Sequence, residues 1–174
     1  MFDRILPYLT AIWLRLTQGS YSATAIVQRA ANTTQYTALD VVGALLSFNR
    51  IGPVGGKILI TSAEIELDIA SVPITNTMTT LVLHLYTGQP GLLVDNGAWD
   101  LTAGDRNPLY CGNITFLAPT DLGSTLYSQL DSINMQRALA ENSDTLYGYL
   151  VTTTGYTPAA NSESYKVTLH SLAV

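Results

Sequence analysis

The sequence predicts an all-β protein, an antiparallel sandwich or barrel, preceded by a short amphipathic helix. Three observations carry this. Beyond Gly19, apolar residues recur at every second position, the period of a strand with one buried face. Pro and Gly clusters punctuate these runs at Gly52-Pro53, Gly55-Gly56, Ser71-Val72-Pro73 and Gly88-Gln89-Pro90-Gly91. No helical stretch alternates with the strands, so a parallel α/β sheet is not expected.

Residues 1–19 form the first unit and 20–174 the second. Phe2, Ile5, Leu9, Ile12 and Leu16 fall alternately three and four apart, the seam spacing of a coiled coil, and Leu6 and Trp13 widen the stripe. Pro7 suits a first helical turn, and Gly19 and Ser20 stop the helix. Three uses compete for this stripe. A signal peptide would place a cleavage site at Ala23-Thr24-Ala25, but Asp3 balances Arg4 and Arg15 interrupts the apolar stretch. A membrane-surface helix would carry a basic face, and only Arg4 and Arg15 are available. Burial against a partner or a second copy fits best, with Phe2, Ile5, Leu9, Ile12, Trp13 and Leu16 as the interface; packing on its own domain is the plainer version.

In chain order, residues 20–29 supply a first strand and 38–46 a second. The clearest strand is 58–69, where Ala63, Ile65, Leu67 and Ile69 face one way and Ser62, Glu64, Glu66 and Asp68 the other. Residues 79–87 follow, with Leu81, Leu83 and Leu85 opposite Val82, His84 and Tyr86. Residues 111–117, 145–153 and 165–172 complete the set. Between them, 121–142 reads as an irregular segment followed by a strand from about residue 133. Leu122, Leu126, Leu130 and Ile133 have helical spacing, whereas Met135, Arg137 and Leu139 alternate.

Apolar residues make up 47% of the chain and charged residues 12%, about half the usual charge. Such a composition excludes disorder. Thr and Ser, 22 and 12 of them, take over surface roles that charges usually fill. A net charge of −5, with only Lys57, Lys166 and scattered arginines, argues against a nucleic-acid partner. No apolar run reaches the roughly 18 residues of a transmembrane helix, so no membrane partner is expected. Cys111 stands alone, so no intrachain disulfide forms, and it reads as a buried small apolar residue.

Candidate chemistry is sparse. Gly52–Lys57 lacks the spacing of a phosphate loop, and a strand follows where a helix is needed. His84 and His170 have no nucleophile elbow, and with Cys111 they lack zinc spacing, so His84 reads as a packed or rim residue. Asp95, Asp100 and Asp105 could hold calcium or simply serve turns. Glu64, Glu66 and Asp68 read as a solvated strand face rather than glycosidase carboxylates. Asn32-Thr33-Thr34 and Asn113-Ile114-Thr115 match the glycosylation sequon by chance. Tyr127, Tyr147, Tyr149, Tyr156 and Tyr165 crowd the last third. They suit an interface, ordinary strand propensity or a sugar platform. Neither an enzyme nor a cofactor is expected.

Four blocks carry a family resemblance: Tyr36-Thr37-Ala38-Leu39-Asp40-Val41-Val42-Gly43; Leu83-His84-Leu85-Tyr86 running to Gln89-Pro90; Asp95-Asn96-Gly97-Ala98-Trp99 leading to Asp105; and Leu146-Tyr147-Gly148-Tyr149-Leu150-Val151 continuing to Gly155-Tyr156-Thr157-Pro158. Across about residues 20–174 the chain resembles the small virion proteins of tailed bacteriophages known as capsid decoration or cement proteins. That resemblance implies a jelly-roll β-sandwich, a homotrimer, a major capsid protein or other virion protein as partner, and a place on the capsid surface after synthesis in the host bacterial cytoplasm. The first helix is not part of that pattern. A tail or fibre adaptor, or a receptor- or carbohydrate-binding jelly roll, is the other class the chain suits.

Overall fold

The structure, a computed structural model, describes residues 19–68, 80–107 and 109–174. The helix expected in residues 1–18, with its stripe from Phe2 to Leu16, lies outside the described residues.

Among the described residues nine strands and one helical turn follow in order: β1 (Ser20–Gln28), β2 (Val41–Phe48), β3 (Lys57–Asp68), β4 (Leu81–Tyr86), α1 (Ala103–Arg106), β5 (Tyr110–Phe116), β6 (Thr120–Asp121), β7 (Thr125–Ala138), β8 (Leu146–Thr152) and β9 (Ser164–Ala173). One sheet runs β1-β9-β3-β7-β6 and the other β2-β8-β4-β5. Every pairing is antiparallel. First strand pairs with last, β2 with β8, β3 with β7 and β4 with β5, so the chain is one long hairpin rolled into two sheets. That strand order is the jelly roll, and the expectation of a jelly-roll sandwich is met.

Alternation builds the core. Ala23, Ala25 and Val27 of β1, Val167 and Leu169 of β9, and Leu83 and Leu85 of β4 all turn into the space between the sheets. On β3 the inward set is Ile58 and Ile60, then Ala63, Ile65 and Leu67. The parity slips by one between them because Thr61 is an extra residue against β9, a β-bulge visible in the register shift between Ile60 and Ser62.

The segment expected to be irregular is instead mostly strand. β7 begins at Thr125, not near residue 133. Between Ile60 and Ser62 of β3, the β7 partner jumps from Met135 to Asp131, and Ser132 and Asn134 have φ of 59° and 52°. This double kink resets the alternation, so two stretches of period two mimic a helical spacing when read through.

One connection is long and folds back. Residues 87–109 leave β4 and run over the outer face of the second sheet as a strap. Val41, Tyr86, Tyr149 and Val151 form a second buried cluster beneath it, covered by Leu93, Trp99, Leu101 and Leu109. The strap is stitched to the start of β2. The Asn96 amide donates to the Val41 carbonyl, Val41 to Gly97 and Trp99 to Leu39, at 2.7–2.8 Å. This second layer is why β4 is buried on both faces.

Candidate interaction surface

The loops joining β1 to β2, β5 to β7 and β8 to β9 gather at one end of the sandwich, and Asp95 of the strap reaches it. A buried polar network organises that end. Arg29, 3% exposed, donates from Nε to the Tyr36 hydroxyl at 2.9 Å, and Tyr36 donates to Asp95 Oδ1 at 2.5 Å. Asp95 also accepts from the Gly43 amide at 2.7 Å and the Ala30 amide at 3.3 Å. Tyr36 stacks on Tyr156 with centroids 5.0 Å apart. The Tyr156 and Tyr165 hydroxyls are hydrogen-bonded, and Tyr165 donates to Glu163 Oε2 at 2.9 Å. Glu163 Oε1 accepts from the Ala159 and Ala160 amides at 2.7 and 3.1 Å. Burial first, then acidic neighbours, raise the Tyr36 pKa above its ordinary value. Tyr165 is raised by burial, then by Tyr156 and Glu163, so these hydroxyls stay protonated and act as donors.

The interface and sugar-platform readings of the late tyrosines are therefore corrected for three of them. Tyr149, Tyr156 and Tyr165 are buried. Tyr149 serves the strap, accepting from the Leu93 amide at 2.9 Å and donating to the Gly91 carbonyl at 3.0 Å. Tyr147 is half-buried against the strap cluster, and Tyr127 donates to Gln129 on the outer face of the first sheet.

The other expected groups disperse. Asp95 is spent on the buried network, Thr102 caps α1 by accepting from the Asp105 amide, the Asp105 carboxylate accepts from the Gly91 amide at 3.1 Å, and Asp100 is exposed. Among the described residues no group of His, Cys, Asp and Glu could hold a metal ion. Glu64 pairs with His170 at 3.1 Å and Glu66 with Lys166 at 3.0 Å, across β3 and β9 on a wet face. Cys111 is half-buried rather than buried, because it is the bulged residue of β5. Burial pushes its thiol up to about 11, which makes it a poor nucleophile.

His84 is packed, 8% exposed, its ring 3.8 Å from that of Trp99 and its Nδ1 3.1 Å from the Tyr110 hydroxyl. Burial lowers its pKa from 6.5 to about 4. An unfolded chain takes up that proton near pH 6.5, and the folded chain resists until about pH 4. Stability is therefore expected to fall by about 2 kcal/mol as pH drops through that window, allowing for solvent screening. Denaturant titrations at pH 7 and pH 4 measure the loss, and His84→Gln should shrink the difference.

Four large apolar residues are exposed at the loop end, among threonines and the carboxylate of Asp121. Leu39, Val94, Leu117 and Leu122 are 56%, 73%, 68% and 64% exposed. Leu39 is held at φ 68°. Among the described residues every buried side-chain nitrogen and oxygen has a hydrogen-bond partner. Exposed large apolar residues of this kind are uncommon on a surface that has no contacts to make.

The sequence missed Arg29, Asp95 and Glu163 as a set. A signal existed: Arg29 continues the inward series 23-25-27 and Glu163 precedes the inward series 165-167-169, so two charged residues occupy core-facing positions at adjoining strand ends.

No model of a known protein family matches the chain, and no curated protein does. Solved virus particles contain similar chains. One is the Israeli acute paralysis virus particle heated to 63 degrees, at 13% identity, covering 92% of this chain and 75% of that one, with a TM-score of 0.33. A second is the cyanophage Pam1 capsid, at 11% identity, covering 88% and 86%, with a TM-score of 0.35. A third is the cowpea mosaic virus top component, at 10% identity, covering 88% and 85%, with a TM-score of 0.37. Superpositions this loose assign no relative, and the fold rests on its own strand order.

Proposed function

We propose that the chain is a non-catalytic structural protein of a virus particle, and that its loop end docks on assembled capsid. The finer reading is a bacteriophage cement or decoration protein, acting as a homotrimer on the capsid surface, with a major capsid protein as its partner. The observation that carries it is the set of exposed apolar residues at one end, Leu39 and Val94 on segments held by the buried network and Leu117 and Leu122 on the β5–β7 loop beside them. A preorganised apolar rim loses little entropy on docking, and the scarcity of charge keeps desolvation cheap. Binding assembled subunits more tightly than free ones would stabilise the shell by mass action. The stripe of Phe2, Ile5, Leu9, Ile12, Trp13 and Leu16 joins the domain at Gly19, beside Ala173, at the end opposite the rim. In this reading the stripe bundles copies or grips a second partner.

Light-scattering mass after gel filtration, on the full chain and on a chain starting at Ser20, tests the trimer. A trimer in both places the contact in the sandwich, and a trimer lost on truncation places it in the stripe. Monomers in both overturn the trimeric cement reading. The adaptor or carbohydrate-binding alternative predicts instead saccharide binding on a glycan array that is lost when outer-face tyrosines such as Tyr127 are replaced.

A further inference from the structure

Two sheets have four edges, and three of them are blunted by identifiable devices. On β2, the strap bonds Val41 on its outer side, Asp40 bridges Ala98, and a bulge interrupts the ladder between Val42 and Leu46. β5 is bulged at Cys111, and the Arg137 guanidinium is bonded to the Cys111 carbonyl. β7 is partly covered by β6, kinked at Ser132 and Asn134, and carries Asp131. Bulges, charges and coverings of this kind are how proteins keep sheet edges from pairing with other chains.

Among the described residues β1 has none of these devices. Its nine residues, SYSATAIVQ, include no charge, no Pro and no Gly. The register with β9 runs from Ser20↔Leu172 to Gln28↔Ser164 without a shift. Arg29 donates to Glu163, and Ala173 to Gly19, which fixes the odd-numbered residues as the ones bonded to β9. The N–H and C=O groups of Ser20, Ser22, Thr24, Ile26 and Gln28 therefore point away from the sheet. Among the described residues no backbone group pairs with them. Ile26 lies on this edge at 65% exposure.

We propose that the free edge of β1 pairs antiparallel with β1 of a second copy, extending the five-stranded sheet across a twofold axis. Antiparallel self-pairing sets every side chain opposite one from the same strand, so a single charged residue would meet its own kind nearby. β1 is free of charge along its whole length, as that symmetry requires. Pairing near Thr24 sets the exposed Ile26 opposite Ser22 of the copy and keeps Ala23 and Ala25 on the core side. The chain preceding β1 is the rival occupant. Its apolar residues repeat at helical spacing rather than period two, which does not make a strand. The pairing is separate from the threefold contact and stands or falls without it.

Hydrogen exchange by mass spectrometry on the full chain reads this edge directly, in the peptide covering residues 20–28 over a hundredfold range of concentration. The expected result is that its fast-exchanging amides become protected as concentration rises, in step with a rise in light-scattering mass. Ile26→Lys should weaken that association at least tenfold while leaving the melting temperature unchanged. Gln129→Lys, three strands inward on the same face, should leave association unchanged and controls for added charge. Protection at every concentration with a mass that stays monomeric would mean the chain's own residues cover the edge, and would overturn the proposal. Fast exchange at every concentration would overturn it too.

Discussion

Glu163→Ala is expected to lower the unfolding free energy by about 3 kcal/mol, or roughly 10 °C in melting temperature. Glu163 is 4% exposed and its two carboxylate oxygens accept three bonds, from the Ala159 and Ala160 amides and the Tyr165 hydroxyl. Alanine leaves the buried Tyr165 hydroxyl without this acceptor, at about 1–3 kcal/mol, and hands the Ala159 and Ala160 amides to water at smaller cost. Tyr165 would also lose the bond that orients it toward Tyr156, so the loop between β8 and β9 should loosen along with the global loss. Glu163→Gln keeps one acceptor oxygen and should cost about 1 kcal/mol. Thermal and denaturant unfolding of both variants measures the difference, and equal losses would mean the network is not what holds this end.

Gly43→Val is expected to cost about 4 kcal/mol, from two sources that act together. Gly43 has φ +72°, a left-handed conformation that a β-branched residue adopts only under strain. A Cβ there would also stand 2.5 Å from Val27 Cγ2, where β1 and β2 approach across the core. Val27→Ala in the same chain should recover the steric part and none of the backbone part, so the double variant should regain roughly half the loss. Because the Gly43 amide also donates to Asp95, Gly43→Val should loosen the strap, and faster exchange of the Gly43 and Asn96 amides would show it.

Much of this fold was legible in the sequence because period-two alternation and Pro or Gly breaks are local signals. β3, β4, β8 and β9 stand where Leu67, Leu83, Leu150 and Val167 placed them. The start of β7 was not legible, since the kinks at Ser132 and Asn134 are backbone features without a residue type that demands them. Both faces of β4 being buried was equally hidden. His84 and Tyr86 look like a wet face until the strap is known to cover them with Trp99, a contact between segments that no local pattern records. The late tyrosines misled for the same reason, because their hydroxyls are satisfied across the chain by Glu163, Gly91 and one another. The exposed rim leucines were visible as residues, but only the loop geometry brings Leu39 and Leu122 to one end.

Co-sedimentation with shells stripped of this protein tests the proposed role most directly. The chain should pellet with assembled shells and not bind free shell subunits. Leu122→Asp combined with Val94→Asp should weaken the binding at least tenfold without changing the melting temperature. A chain that stays in the supernatant with intact shells, or that binds free subunits as tightly as assembled ones, would contradict the account.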